Sequence, residues 1–109
     1  SIRKNAINYF FQKLKEKPII AVLFGSTAKR NFIKNSDIDL LLIANKKTKT
    51  ENAENYAESQ TGININCIQV NYNDFIKEIK IKQDKVIQSA IKSGYPLTNH
   101  LHYYEVILQ

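Results

Sequence analysis

Apolar positions along this chain switch between helical and strand spacing, and the switches mark its elements. Ile2, Ala6, Phe10 and Leu14 recur at helical intervals with Tyr9 and Lys13 beside them, which predicts an opening amphipathic helix rather than a signal peptide's apolar core. Ser1 is a candidate cap, and Lys17 before Pro18 is pushed out of the α region, so the helix closes there. Ile19 to Phe24 is an unbroken apolar run between Pro18 and Gly25, the pattern of a strand buried on both faces. Gly25-Ser26 turns the chain, and Thr27 to Phe32 reads as a short helix that Asn31 and Asn35 help to end. Ser36 to Ile43 follows as a second strand, alternating at first and wholly apolar at Leu40-Leu41-Leu42-Ile43.

Asn45 to Asn52 is polar and rich in Lys and Thr, and is expected to be the least ordered loop. Ala53, Tyr56, Ala57 and Gln60 predict a modest helix ending near Gly62. In the third strand, Ile63 to Val70, the residues Ile63, Ile65 and Cys67 face one way and Asn64, Asn66 and Ile68 the other. Asn71 or Asn73 caps the next helical region, whose stripe is Phe75, Ile79, Val86, Ile87, Ala90 and Ile91. Ile81 falls off that stripe, which predicts a break near Lys82, and Gly94 with Pro96 ends the region. Tyr103 to Leu108 reads as a last helix or an edge strand. The sum is an α/β (α+β) sandwich, a small mixed sheet flanked by helices, in one domain spanning residues 1–109.

Composition adds less. A 43% hydrophobic content over 109 residues is that of an ordinary globular domain, and no apolar run is long enough to span a membrane. Cys67 is the sole cysteine, so no intrachain disulfide forms and a reducing cytoplasm is the expected setting. The formal charge of +6 suits phosphate-bearing ligands, but the lysines are dispersed, so nucleic-acid binding is open and without a specific motif behind it.

The candidate chemistry lies in Gly25-Ser26 and Asp37-Ile38-Asp39. In a strand, residues two apart share a face, so the carboxylates of Asp37 and Asp39 point the same way. Two adjacent carboxylates repel unless a cation lies between them, and Mg²⁺ prefers such oxygen-rich sites, completed by substrate phosphates. Opposite them, Gly25 lets backbone amides approach a triphosphate, and the Ser26 hydroxyl can donate to a phosphate oxygen. Separately each motif is common. Together, on a strand-turn-helix-strand frame, they are specific.

Phe24-Gly25-Ser26-Thr27-Ala28 followed by Ser36-Asp37-Ile38-Asp39-Leu40 resembles the signature of the DNA polymerase β-like nucleotidyltransferases, above all their small "minimal nucleotidyltransferase" group. The resemblance extends from the leading helix to Ala90-Ile91-Lys92-Ser93-Gly94-Tyr95-Pro96-Leu97, which is similar to the family's tail. It implies a Gly-Ser pair that binds nucleotide phosphates, aspartates that hold Mg²⁺, and transfer of a nucleotidyl group, adenylyl from ATP by preference, to a hydroxyl. It also implies a helical HEPN-type protein partner in a toxin–antitoxin pair, with homo- or hetero-oligomers to be expected. Where the family has Ala-Arg-Gly, this chain has Ala28-Lys29-Arg30, so Lys29 carries the phosphate-facing charge as a point charge.

The family's third carboxylate belongs on the third strand. Here that strand reads Ile63-Asn64-Ile65-Asn66-Cys67-Ile68-Gln69-Val70, and Asn66 or Asn64 takes the place. An amide oxygen ligates a metal weakly and accepts no proton at neutral pH. Two readings therefore stand: an active nucleotidyltransferase, or a catalytically impaired nucleotide-binding antitoxin that acts by stoichiometric contact. Asp74 is a substitute acid if it can reach the site. His100 and His102 make no zinc set with one cysteine, and Tyr95, Tyr103, Tyr104 and Phe75 read as packing residues.

Overall fold

The structure, a computed structural model, describes residues 1–25 and 37–109. The short helix expected over residues 27–32 lies outside them. Helix α1 (Ile2–Lys13) is capped by Ser1, whose hydroxyl accepts the Lys4 amide at 3.2 Å. Strands β1 (Ile20–Phe24) and β2 (Ile38–Ala44) pair antiparallel, from Ile20↔Ile43 to Phe24↔Asp39. Strand β3 (Ile65–Asn71) runs parallel to β2, from Ile38↔Ile65 to Ala44↔Asn71. A parallel neighbour needs a crossover, and helix α2 (Glu51–Thr61) supplies it. Helices α3 (Tyr72–Ile81) and α4 (Lys85–Ser93), the two-residue strand β4 (Tyr95–Pro96) and helix α5 (His100–Ile107) complete the described chain. The sheet order is β3-β2-β1-β4.

Both faces of the sheet are covered, which accounts for the unbroken apolar runs. Ala21, Leu23, Leu40 and Leu42 pack with Ala6 and Phe10 of α1 and Ala53 and Ala57 of α2. Their strand neighbours Ile20, Val22, Leu41 and Ile43 pack on the opposite face with Phe75, Ile87, Ala90 and Tyr103. Period-two alternation, with apolar cover on each side, reads in sequence as continuous hydrophobicity.

Several expectations shift. Ile2 is 49% exposed, and Arg3 takes its place on the buried side of α1 with Ala6 and Phe10. β2 begins at Ile38, so Asp37 stands just before the strand. Val86 is 41% exposed, and α4 buries Ile87 and Ala90 instead. The break near Lys82 is present: Lys82 adopts φ 58°, and Asp84 caps α4 by accepting the Val86 and Ile87 amides. The polar loop ends at Thr50 and is tied down. The Thr48 amide donates to Gln69 Oε1 at 2.9 Å, Gln69 Nε2 donates back to the Thr48 carbonyl at 2.8 Å, and Asn71 Nδ2 holds the Asn45 carbonyl.

Strand β4 has no sequence signature because its pairing is so short. It is held by the Leu97 amide on the Ala21 carbonyl at 2.7 Å, the Ala21 amide on Thr98 Oγ1 at 3.1 Å, and Asn99 Nδ2 on the Ile19 carbonyl at 2.6 Å. Gly94 does more than stop α4. A Cβ there would stand 2.6 Å from both the Leu23 and Ala90 carbonyl oxygens, so only glycine lets the helix end abut β1.

Candidate functional site

Three strand ends meet where β1 stops and β2 begins. The register sets Asp39 beside Phe24 on one side and Asn66 on the other. Asp37 is exposed and Asp39 half-buried at the mouth of the sheet. Both carboxylates converge on one amide: Asn66 Nδ2 lies 3.1 Å from Asp37 Oδ2 and 3.4 Å from Asp39 Oδ1. Asn64 Nδ2 in turn donates to Asn66 Oδ1 at 3.1 Å, which fixes the orientation of the Asn66 amide. Without a cation this orientation is required, because the reverse one would aim a carbonyl oxygen at two carboxylates.

Gly25 closes the other side. Its φ is +75°, and a Cβ at that position would collide with Asp39 Oδ2. The glycine thus answers two demands at once, a left-handed backbone and room for the Asp39 carboxylate. From the covered face of the sheet, Arg3 Nη2 donates to the Asp37 carbonyl at 3.1 Å. Arg3 is only 7% exposed; burial draws its guanidinium below its ordinary range, and the nearby Asp37 charge pulls it back up. Arg3 was missed in the sequence because an arginine at the start of an amphipathic helix reads as surface. The available signal was its place in line with Ala6 and Phe10.

Ser26 and Lys29, the expected phosphate-binding pair, lie outside the described residues. Asp74 does not reach the site. It sits in the first turn of α3, beyond the C-terminal end of β3, whereas Asn66 is at the strand's start; five residues of strand separate Asn66 from Asn71, about 17 Å. His102 is engaged elsewhere, its Nε2 2.8 Å from the Tyr72 hydroxyl, and His100 is exposed. Burial pushes the Cys67 thiol up to about 12, with the Glu54 charge adding to it and a Thr50 hydrogen bond opposing, so it is no nucleophile at neutral pH.

Among the described residues no three His, Cys, Asp or Glu side chains gather as a metal cage. The donor set present is two carboxylates and an amide whose oxygen can be turned inward. That set fits a Mg²⁺ ion carried in with nucleotide phosphates, which needs only one or two protein carboxylates.

The family model "Polymerase beta, Nucleotidyltransferase" matches residues 5–100. The chain belongs to this nucleotidyltransferase family. No curated protein matches its sequence at a significant level. Solved structures match its fold. A toxin–antitoxin crystal structure with AMP-PNP contains a chain of TM-score 0.67 and 16% identity, with 96% of this chain and 81% of that one covered. The complex of a tri-AMPylated Shewanella oneidensis HEPN toxin with its MNT antitoxin gives a TM-score of 0.60 at 15% identity, covering 98% of this chain and 80% of the other. A mutant MntA–HpeT toxin–antitoxin complex gives 0.63 at 14%, with 99% and 81% covered. At these identities the likeness is one of fold.

Proposed function

We propose that this chain binds a Mg²⁺–nucleoside triphosphate, ATP by preference, at Asp37 and Asp39, and serves as the nucleotidyltransferase-type antitoxin of a HEPN-type partner. The observation that carries the reading is the convergence of both carboxylates on one point at the strand ends, with Gly25 shaped around Asp39. The neighbouring structures of toxin–antitoxin pairs support the choice of partner, and the one crystallised with AMP-PNP supports the choice of nucleotide.

In this reading Gly25, Ser26 and Lys29 receive the phosphates, and Asp37 and Asp39 hold the cation against them. When bound, Mg²⁺ supplies neutralisation of the phosphate charge. Arg3 fixes the Asp37 backbone, so the first carboxylate is held from behind. In transfer the acceptor oxygen bonds to the α-phosphorus, the bond from that phosphorus to the bridging oxygen of pyrophosphate breaks, and the hydroxyl proton passes to solvent water. Asn66 faces that region but takes up no proton.

Asn66 also supports the second reading, an antitoxin that binds nucleotide and partner with little or no turnover. Incubation with α-labelled ATP, Mg²⁺ and the partner protein separates the two. Label on the partner establishes transfer by the native chain. Label only with Asn66→Asp establishes a site whose single defect is the missing third carboxylate. Label with neither variant, in protein that binds nucleotide, leaves stoichiometric neutralisation.

A further inference from the structure

At the end of the sheet remote from Asp37 and Asp39 lies a second polar cleft. The end of α1 and the residues after it bring Lys13, Lys15 and Lys17 to it, and the turn between β2 and α2 brings Lys46, Lys47 and Lys49. The cleft has two adjoining parts, of 860 Å³ and 230 Å³, which share Glu16, Thr48 and Gln69. All six lysines are exposed, and among the described residues the carboxylates that line the cleft with them are Glu16, Glu51 and Glu54. Glu54 is partly engaged, since its Oε2 accepts the Thr50 hydroxyl at 2.5 Å. The turn that carries three of the lysines is held in place by the two-way Thr48–Gln69 pair and by Asn71 on the Asn45 carbonyl. The charges are therefore presented on a fixed backbone.

The chemistry of the lining selects the partner. Among the described residues none of the large exposed apolar side chains, which include Leu101, Leu108 and Ile81, lines either part. Protein interfaces depend on aromatic, Arg or aliphatic anchors and are depleted in Lys and Glu, the very residues that crowd this cleft. No aromatic ring lines it among the described residues, so it offers no platform on which single-stranded bases could stack. What it does offer is a row of flexible cations and hydroxyl and amide donors, which suits phosphates spaced along a rigid backbone.

We propose that this cleft binds the phosphodiester backbone of a nucleic-acid duplex without regard to sequence. Asp39 stands near the start of β2 and Ala44, which lines the cleft, at its end, five residues and about 17 Å further along, so the cleft is a second site, and it stands whether or not the carboxylates bind nucleotide.

The test is fluorescence anisotropy with short labelled RNA and DNA duplexes across a salt series. Six lysines on six phosphates predict a log–log salt slope of about −5. The triple variant Lys46→Glu, Lys47→Glu, Lys49→Glu should weaken binding at least tenfold and roughly halve that slope. The matched variant Lys77→Glu, Lys80→Glu, Lys82→Glu, of equal charge change on and just after α3, should weaken it far less. Mg²⁺–ATP titration of each variant reports separately on the carboxylate site. The proposal is overturned if neither duplex binds, if the two variants lose affinity equally, if single strands bind more tightly than duplexes, or if poly-glutamate competes as well as duplex does.

Discussion

Asn66 occupies the space between two aspartates that a cation would otherwise fill, and its amide protons do part of a cation's work. They neutralise some of the repulsion between Asp37 and Asp39 without any bound ion. Asn66→Asp reverses that balance. It sets a third carboxylate against two, so without divalent ion the variant melts below the wild type, and Mg²⁺ raises its melting temperature more than it raises the wild type's. Thermal melts with and without Mg²⁺ check this. Gly25 carries the opposite lesson, that an absent side chain can be the functional feature. Gly25→Ala forces an L-residue to φ +75° and drives its methyl group into the Asp39 carboxylate. It should cost about 1–2 kcal/mol from the left-handed backbone alone, read by denaturant unfolding, and should weaken nucleotide binding as Asp39 is displaced. That Asp37 and Asp39 share a face was legible from strand periodicity, whereas the asparagine beside them was expected from the family resemblance, with Asn66 and Asn64 both open until the register set Asn66 next to Asp39. Arg3 was not legible, since its role depends on where α1 docks across the sheet.

Between elements, Glu78 is the residue that joins α3 to α4. It is 9% exposed, and its Oε1 accepts the Gln83 and Asp84 amides at 3.2 and 3.0 Å. Gln88 Nε2 reaches both its other carboxylate oxygen and its backbone carbonyl. The carboxylate thus satisfies the amides exposed where one helix stops at Lys82 and the next starts at Lys85. Glu78→Ala removes these charge-assisted bonds and should destabilise the fold by about 2 kcal/mol, measured by denaturant titration, with nucleotide binding at the distant strand ends unchanged. The break itself was legible, because Ile81 leaves the apolar stripe. The glutamate that makes the break tolerable was not, as its partners lie five to ten residues onward and are two backbone amides and the Gln88 side chain. For the same reason β4 escaped notice: two paired residues carry no periodicity.

Across the whole molecule, two weak acids, the buried Tyr103 and the half-buried Cys67, link stability to alkaline pH. Tyr103 is 1% exposed, stacks on Phe75, and its hydroxyl has no hydrogen-bond partner among the described residues. Burial, with a smaller contribution from Tyr104, pushes it from 10.0 up to about 12, as burial does the Cys67 thiol from 9.0 to about 12. Both folded values lie above the unfolded ones, so the neutral forms are favoured by folding. Their contribution is complete below pH 9 and declines as pH rises towards 12. Tyr103→Phe should remove part of this alkaline decline and also relieve an unsatisfied buried hydroxyl, a gain of about 1 kcal/mol at neutral pH, both read from melts across a pH series. The two-layered cover of the sheet was legible from the unbroken strands, whereas the lysine cleft was not. Lys13, Lys15 and Lys17 are separated in sequence from Lys46, Lys47 and Lys49 by both β1 and β2, and only the antiparallel pairing of those strands brings the two groups together.

The central claim is that Asp37 and Asp39 together hold a Mg²⁺–nucleotide at the strand ends. Calorimetric titration of ATP into the wild type and into Asp39→Asn, with and without Mg²⁺, tests it most directly. Binding by the wild type that requires Mg²⁺ and falls at least tenfold in a folded Asp39→Asn variant is the predicted result. Binding of equal strength in both proteins, or binding indifferent to Mg²⁺, would contradict the account.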